Sequence, residues 1–413
     1  MVLFKKLAVA LLCVLVYSSS SVASPLKSFI EEATFQGRVR SYIQSRELDV
    51  LKDERLYSLG AHLNFETGSV MGLQAGATYF VANDFDVNRD SLVNKNPLIP
   101  VSNINLFGEA YLQYKNDATL IKGGRQAIDT PFMNPADSFM FPVTYMGYRL
   151  THKFLDDLEV TAFHATEVKI RQSDTFVDTG QFVTKRLGIE PTNTSGTTTL
   201  GAKWNRGAVK LEAWDYYFYD LFNMIYFQGD IELPEISDFK PYFSFQVGHE
   251  FDIEDSLLGE VNAWAFGANL GAKVGRFDIG YAFNYLPKNE GTFRNGGFLS
   301  PYNFATDALY TNSLDGGLTI KDTAFVGLAQ KGIVKFMPNE DLWIRLAYTF
   351  FDMVKSVGGK DSGELNFDIA YQFHGILEGF DARYRLAWVD SELDSENLIE
   401  NRLIVQYVFE DLL

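Results

Sequence analysis

Basic residues recur at alternate or same-face positions in several segments: Arg38 and Arg40, Arg149 and Lys153, Arg383 and Arg385, with Arg345 and Arg402 in similar surroundings. In an extended chain, residues two or four apart share one face. A guanidinium stays charged and grips a carboxylate through two parallel N–H donors. A row of them along a narrow, wet passage would favour small anions. Other chemistries lack their residues. The five histidines (His62, His152, His164, His249 and His374) show no metal-ligand spacing, and neither H-E-x-x-H nor G-x-S-x-G occurs. Asp84-x-Asp86-x-Asn88-x-Asp90 begins like a calcium loop. Arg89 replaces its turn glycine, however, and Lys95 stands where the bidentate glutamate belongs. No catalytic residue, metal site or cofactor is expected.

The basic residues need elements to aim them. Eighteen alternating stretches can be read, near 34–45, 55–66, 69–82, 104–115, 118–127, 143–155, 158–169, 197–206, 207–219, 222–232, 240–250, 264–275, 276–287, 322–336, 341–352, 363–374, 379–390 and 401–410. Each is about the length of a tilted membrane-spanning strand, ~9–11 residues. Leu365, Phe367, Ile369, Tyr371 and Phe373, for example, alternate with small or polar residues. Aromatics gather near strand ends (Tyr79, Phe80, Tyr114, Phe154, Tyr285, Trp388, Tyr407 and Phe409), as in the interfacial girdles of membrane barrels. Connections alternate between short (Thr67-Gly68, Asn116-Asp117, Asp156-Asp157, Arg206-Gly207, Gly275-Arg276) and long (83–103, 128–142, 170–196, 288–321), with exceptions at 220–221 and 233–239. A chain crossing a membrane up and down sorts its loops this way; a soluble sandwich has no reason to. The expected fold is all-β: a transmembrane antiparallel up-and-down barrel with 18 strands.

Parity then orients the charges. Leu403, Val405, Tyr407 and Phe409 face lipid, so Arg402 and Gln406 face the lumen. Ala382, Tyr384, Leu386 and Trp388 turn Arg383 and Arg385 inward, and Leu342, Ile344, Leu346, Tyr348 and Phe350 do the same for Arg345. Gln36, Arg38 and Arg40 point inward from the first strand, and Arg149 and Lys153 from the sixth. A lipid-facing Arg or Lys would cost ~2–4 kcal/mol at the membrane midplane. Closure sets the last strand beside the first, which brings Arg345, Arg383, Arg385, Arg402, Arg38 and Arg40 onto one stretch of wall. Inward acids, among them Glu109, Asp278, Glu364, Asp368 and Asp381, are expected to pair with some of them.

Lys5 and Lys6, an apolar run from Leu7 to Tyr17 and the small residues Ser21-Val22-Ala23 read as a secretory signal cleaved after Ala23, leaving 24–413 as a single barrel domain. Cys13, the only cysteine, goes with it. Losing Lys5 and Lys6 takes the formal charge from −17 to −19, acidic for a nucleic-acid partner. The mean hydropathy of −0.07 does not argue against a membrane, because alternation hides a barrel's apolar face.

One segment is more specific. Gly123-Gly124-Arg125-Gln126-Ala127-Ile128-Asp129-Thr130-Pro131-Phe132-Met133-Asn134-Pro135-Ala136-Asp137-Ser138 resembles the fifth-strand and third-loop signature of the OprD-type porins, the outer-membrane carboxylate channels. Arg402-Leu403-Ile404-Val405-x-Tyr407 resembles that family's last strand. The resemblance implies a monomer or loose homotrimer among outer-membrane lipid and lipopolysaccharide. It also implies an eyelet made by inward-folded third and seventh loops (128–142 and 288–321) and a ladder of basic side chains for anionic solutes. Arg125, Asp129, Asp137 and Ser138 carry over to the third-loop region. The chain departs from the pattern at Phe139, where the family usually has a basic residue, and at its end, Glu410-Asp411-Leu412-Leu413. The reading is passive uptake of small hydrophilic solutes, carboxylates or amino-acid-like nutrients. The alternatives are a general or cation-preferring porin, a surface receptor or adhesin, and a barrel lipase.

Overall fold

The computed structural model describes residues 29–49, 53–85, 87–88, 103–136, 139–302, 306–319, 326–392 and 397–410. The expected signal segment, together with Asp137 and Ser138, lies outside them. Eighteen long antiparallel strands are present. The first nine are β1 (Thr34–Leu48), β2 (Glu54–Glu66), β3 (Leu73–Asn83), β4 (Ile104–Lys115), β5 (Thr119–Gln126), β6 (Thr144–Leu155), β7 (Leu158–Lys169), β8 (Thr197–Arg206) and β9 (Val209–Phe218). The second nine are β10 (Phe222–Glu232), β11 (Phe239–Asp252), β12 (Asn262–Val274), β13 (Phe277–Leu286), β14 (Gly327–Phe336), β15 (Leu342–Met353), β16 (Ser362–Gln372), β17 (Phe380–Ser391) and β18 (Leu398–Phe409). Each pairs with its neighbours, and β18 closes on β1 from Gly37–Phe409 to Leu48–Leu398. A closed barrel leaves no edge and satisfies every ladder group internally, which the hydrocarbon interior demands. No helix among the described residues is long and apolar enough to cross a membrane.

Strand boundaries follow the alternation read from the sequence, and so does the sorting of loops. The two exceptions resolve: 219–221 is a short connection on the long-loop side, and 233–238 a long turn on the short side. The outer face carries exposed Tyr148, Phe154, Tyr285 and Trp388, as expected of a girdle. Phe80 is a correction. It is wholly buried on the lumen side, stacked on Phe141 of the third loop at 5.0 Å.

The lumen is not empty, because the third loop (127–143) and the seventh (287–326) fold into it. Phe132, Met133, Phe139, Met140 and Phe141 of the former and Phe298, Leu299, Tyr302 and Leu309 of the latter are buried. Wall glycines make room: a Cβ on Gly60 of β2 would stand 2.8 Å from the Met140 sulfur. The fourth connection contains one helix not foreseen from the sequence, α1 (Thr179–Leu187), capped by Asp178 accepting from the Gln181 N–H. Arg294 of the seventh loop donates to the Leu187 carbonyl at its other end, 2.7 Å.

Candidate solute pathway

Register turns the inward charges into one continuous row. Directly opposite residues on neighbouring strands face the same side. Lys240 lies opposite Lys273, Lys273 opposite Asp278, Asp278 opposite Lys335, and Lys335 opposite Arg345. Arg345 then faces Asp368, Asp368 faces Arg385, Arg385 faces Arg402, and Arg402 faces Gln44 across the closure. Strands tilt in a barrel, so a cross-strand row is inclined to the pore. Here it climbs. Lys273 and Asp278 flank the Gly275–Arg276 turn, whereas Arg402 lies nearer the loop end of its strand.

The acids divide this row into two clusters. The nearly sealed Asp368 carboxylate accepts from Arg383 (2.8 and 2.5 Å), Arg345 (2.7 Å) and Arg385 (3.2 Å). One anion thus serves three guanidiniums. Lys335, Arg345 and Arg383 also lie over the Trp343 ring, 5.1, 5.9 and 5.1 Å from its centre. Nearer the loops, Arg46 and Arg402 both bind Glu400 and Asp315, two cations against two anions. Arg40 reaches Gln406 and the Phe139 carbonyl, and Arg38 contacts the His62 ring at 3.2 Å.

The inward assignments of Arg38, Arg40, Arg345, Arg383, Arg385 and Arg402 agree with this geometry. Arg149 is inward as well, donating to the Thr151 hydroxyl at 3.0 Å, and Lys153 shares its face at the turn end. Arg125 is corrected. It lies opposite Ala110 on the outer face, donates to the Phe107 carbonyl (3.3 Å) and stacks on Phe176 of the fourth connection. It is near the loop end, where a lipid-side charge costs only about 0–1 kcal/mol. Asn88 of the calcium-like stretch is engaged elsewhere, donating to the Tyr57 carbonyl and accepting from its N–H, both at 2.8 Å.

Buried groups on the wall seat the seventh loop. Glu364 of β16 accepts the backbone N–H groups of Leu314, Asp315 and Gly316 at 2.8, 3.0 and 2.6 Å. A Cβ at position 316 would meet that carboxylate at 2.7 Å, so a larger residue there would push the Glu364 side chain from its place. Asn284 accepts from the Thr311 N–H and hydroxyl, and Glu250 from the Leu299 N–H. Within the loop, burial pushes the Asp307 carboxyl above its ordinary range, against hydrogen bonds from Thr319, Asn312 and the Leu309 N–H. Asn134 of the third loop donates to the Thr306 carbonyl of the seventh at 2.6 Å, tying the two together.

Between these loops and the β8–β10 wall lies an open cavity of about 570 Å³. Asp129, Thr130 and Asn134 line it from the third loop, Thr306 and Tyr310 from the seventh, and Lys203, Glu212 and Gln228 from the wall. Asp129 was expected here. The wall residues were not singled out from the sequence, although Lys203 and Glu212 lie on lumen parity. They sit directly opposite each other, and Glu212 accepts from the Trp214 indole at 2.8 Å.

A closed barrel of lipid-spanning strands, constricted by inward loops and carrying a charged lumenal row, defines a channel-forming outer-membrane protein. Residues 100–298 match the family described as outer membrane porin, OprD family. Three solved barrels superpose over nearly the whole chain. OccK9 (OpdG) of Pseudomonas aeruginosa is 18% identical at TM-score 0.79, covering 93% of this chain and 100% of that one. OccAB3 of Acinetobacter baumannii is 16% identical at TM-score 0.78, covering 92% and 100%. OpdK of Pseudomonas aeruginosa, crystallised with vanillate, is 16% identical at TM-score 0.75, with the same coverage. No curated protein matches the sequence. The family match thus spans residues 100–298, and over nearly its whole length the chain shares the fold of these solved outer-membrane barrels.

Proposed function

We propose that this porin passes small hydrophilic solutes bearing a carboxylate, amino-acid-like nutrients among them, by passive diffusion. The observation that carries this reading is the climbing row, with six cations and two carboxylates from Lys240 to Arg402. The Arg345 and Arg383 side chains keep 31% and 27% of their surface open, enough to exchange water for a passing anion. A carboxylate passing from lysine to guanidinium along the row can stay in charge-assisted hydrogen bonds, bidentate where an open arginine meets it. The vanillate held by OpdK is an aromatic carboxylate in a barrel of the same fold, which supports the class of solute.

A second reading rests on the eyelet itself. Among the described residues that line the cavity, two acids, Asp129 and Glu212, stand with one cation, Lys203, a balance that favours cations or solutes carrying an amine beside the carboxylate. Reversal potentials in planar bilayers under a salt gradient decide between the two. Anion preference is expected, and Arg345→Glu with Arg383→Glu should lower the anion-to-cation permeability ratio several-fold. Cation preference in the unaltered channel would overturn the carboxylate reading, and an absence of conductance would favour a surface receptor.

A further inference from the structure

The basic row is unevenly exposed. Whereas Arg345 and Arg383 are partly open, Arg402 keeps only 1% of its surface and Arg40 only 4%. Phe139-Met140-Phe141 of the third loop, the stretch that departs from the family pattern, lies against both, and Leu314 and Asp315 of the seventh loop close over Arg402 as well. Phe139, Met140 and Phe141 are all buried. The Phe139 carbonyl accepts from Arg40, and the Met140 carbonyl lies 2.8 Å from the His62 ring nitrogen. The Arg171 guanidinium stacks on the Phe139 ring at 3.8 Å, with Arg402 on it at 5.8 Å. Phe141 stacks on both Phe80 and His62. Gly60 thins the wall where Met140 rests. The segment is therefore fitted to its place by packing, cation–π contact and hydrogen bonds together.

The wall beneath it is polar. On β1 and β2, Tyr42, Gln44 and Ser58 face the lumen with at most 2% of their surface exposed. The Tyr42 and Ser58 hydroxyls, both polar atoms of Gln44 and one Arg402 nitrogen make no hydrogen bond to the described residues. Buried polar groups are nearly always paired, so a contiguous patch of unmatched ones marks a surface whose chemistry suits a wet lumen. Met140 and Phe141 pack in one buried cluster with Tyr42, so the segment stands between the lumen and this part of the wall.

We infer that Phe139–Phe141 is a specificity-determining partition. It withholds Arg40 and Arg402 from permeating solute and confines solute contact to the turn-side portion of the basic row around Arg345 and Arg383. The inference rests on the channel reading of the preceding subsection. A basic residue at position 139 would add a cation to the path; phenylalanine instead hides two.

The test is thiol accessibility. The only cysteine is Cys13, ahead of the barrel, so Gln44→Cys gives the barrel a single thiol. In outer-membrane preparations, a charged, membrane-impermeant methanethiosulfonate should label Gln44→Cys slowly. Adding Phe139→Ser should speed labelling by at least about tenfold, and in bilayers should raise both conductance and anion preference. Rapid labelling of Gln44→Cys alone overturns the inference, as do unchanged labelling and conductance in a Phe139→Ser barrel that keeps its heat-modifiable gel mobility. If Phe139→Ser fails to fold, Phe139→Leu takes its place: it retains the cover without the ring, so Gln44→Cys should stay protected, and exposure would overturn the steric argument. The parent channel's ion preference is read separately. Cation preference there would sink the carboxylate reading while leaving labelling to judge the partition.

Discussion

Glu364→Ala is expected to release the seventh loop from the barrel wall and raise single-channel conductance several-fold. The carboxylate is 1% exposed and holds three consecutive backbone N–H groups at 2.6 to 3.0 Å. Its removal leaves three donors and the Asn366 amide without their acceptor in a sealed place. Each such group costs about 1–3 kcal/mol if it stays buried. Leaving the wall rehydrates all of them, working against the anchors that remain at Asn284, Thr349 and Glu250 and the Asp315 pairs with Arg46 and Arg402. The barrel itself should persist, because its ladder does not run through Glu364's side chain. Glu364→Gln keeps an oxygen acceptor and should fall between the two. Conductance and noise recorded for all three proteins, with gel mobility as the folding control, check this. Wild-type conductance in a folded Glu364→Ala barrel would show that the nest does not hold the constriction.

Asp368→Asn should strengthen anion preference while weakening the barrel. A neutral amide would leave Arg345, Arg383 and Arg385 with no carboxylate among them, where now one serves all three. Breaking a sealed ion pair costs about 3–5 kcal/mol, and the figure here should be smaller because Arg345 and Arg383 are partly hydrated. The reversal potential should move toward the anion limit, opposite in sign to the shift from Arg383→Glu. Urea midpoints in detergent should fall. Unaltered selectivity with a lowered midpoint would make Asp368 and its arginines a purely structural cluster.

Much of the architecture was legible because a barrel writes its geometry locally. Alternation over one strand decides which face meets lipid, and the unfavourable burial of charge in hydrocarbon made the inward arginines readable one strand at a time. Arg125 escaped this logic. Its strand is short and carries Gly123 and Gly124, the latter at φ +124°, so no apolar face stands opposite to declare the parity. The row from Lys240 to Arg402 was visible only in fragments, since its continuity depends on register between strands far apart in sequence. The loop anchors were hidden for a related reason. Glu364 and Glu250 look like ordinary lumenal acids until the loop backbone they hold is in place. Glu212 and Lys203 likewise gain meaning only when Asp129 and Tyr310 arrive opposite them. The helix in the fourth connection lay inside a stretch read only as a long link.

The climbing row crosses the seam between β18 and β1, where Arg402 meets Gln44 and Glu400 meets Arg46. Its loop-side end therefore brings together groups from the two extremes of the chain. During assembly, Glu400 and Arg402 on the last hairpin would be poor cargo for hydrocarbon until Arg46 arrives from the first strand to share their charge. Zippering the seam brings Arg46 to Glu400, and seating Asp315 of the seventh loop completes the balance of two cations and two anions. An unclosed sheet would leave these charges without their cross-seam partners, and the finished ring does not, so charges sealed away from solute in the mature pore still reward completion of the circle.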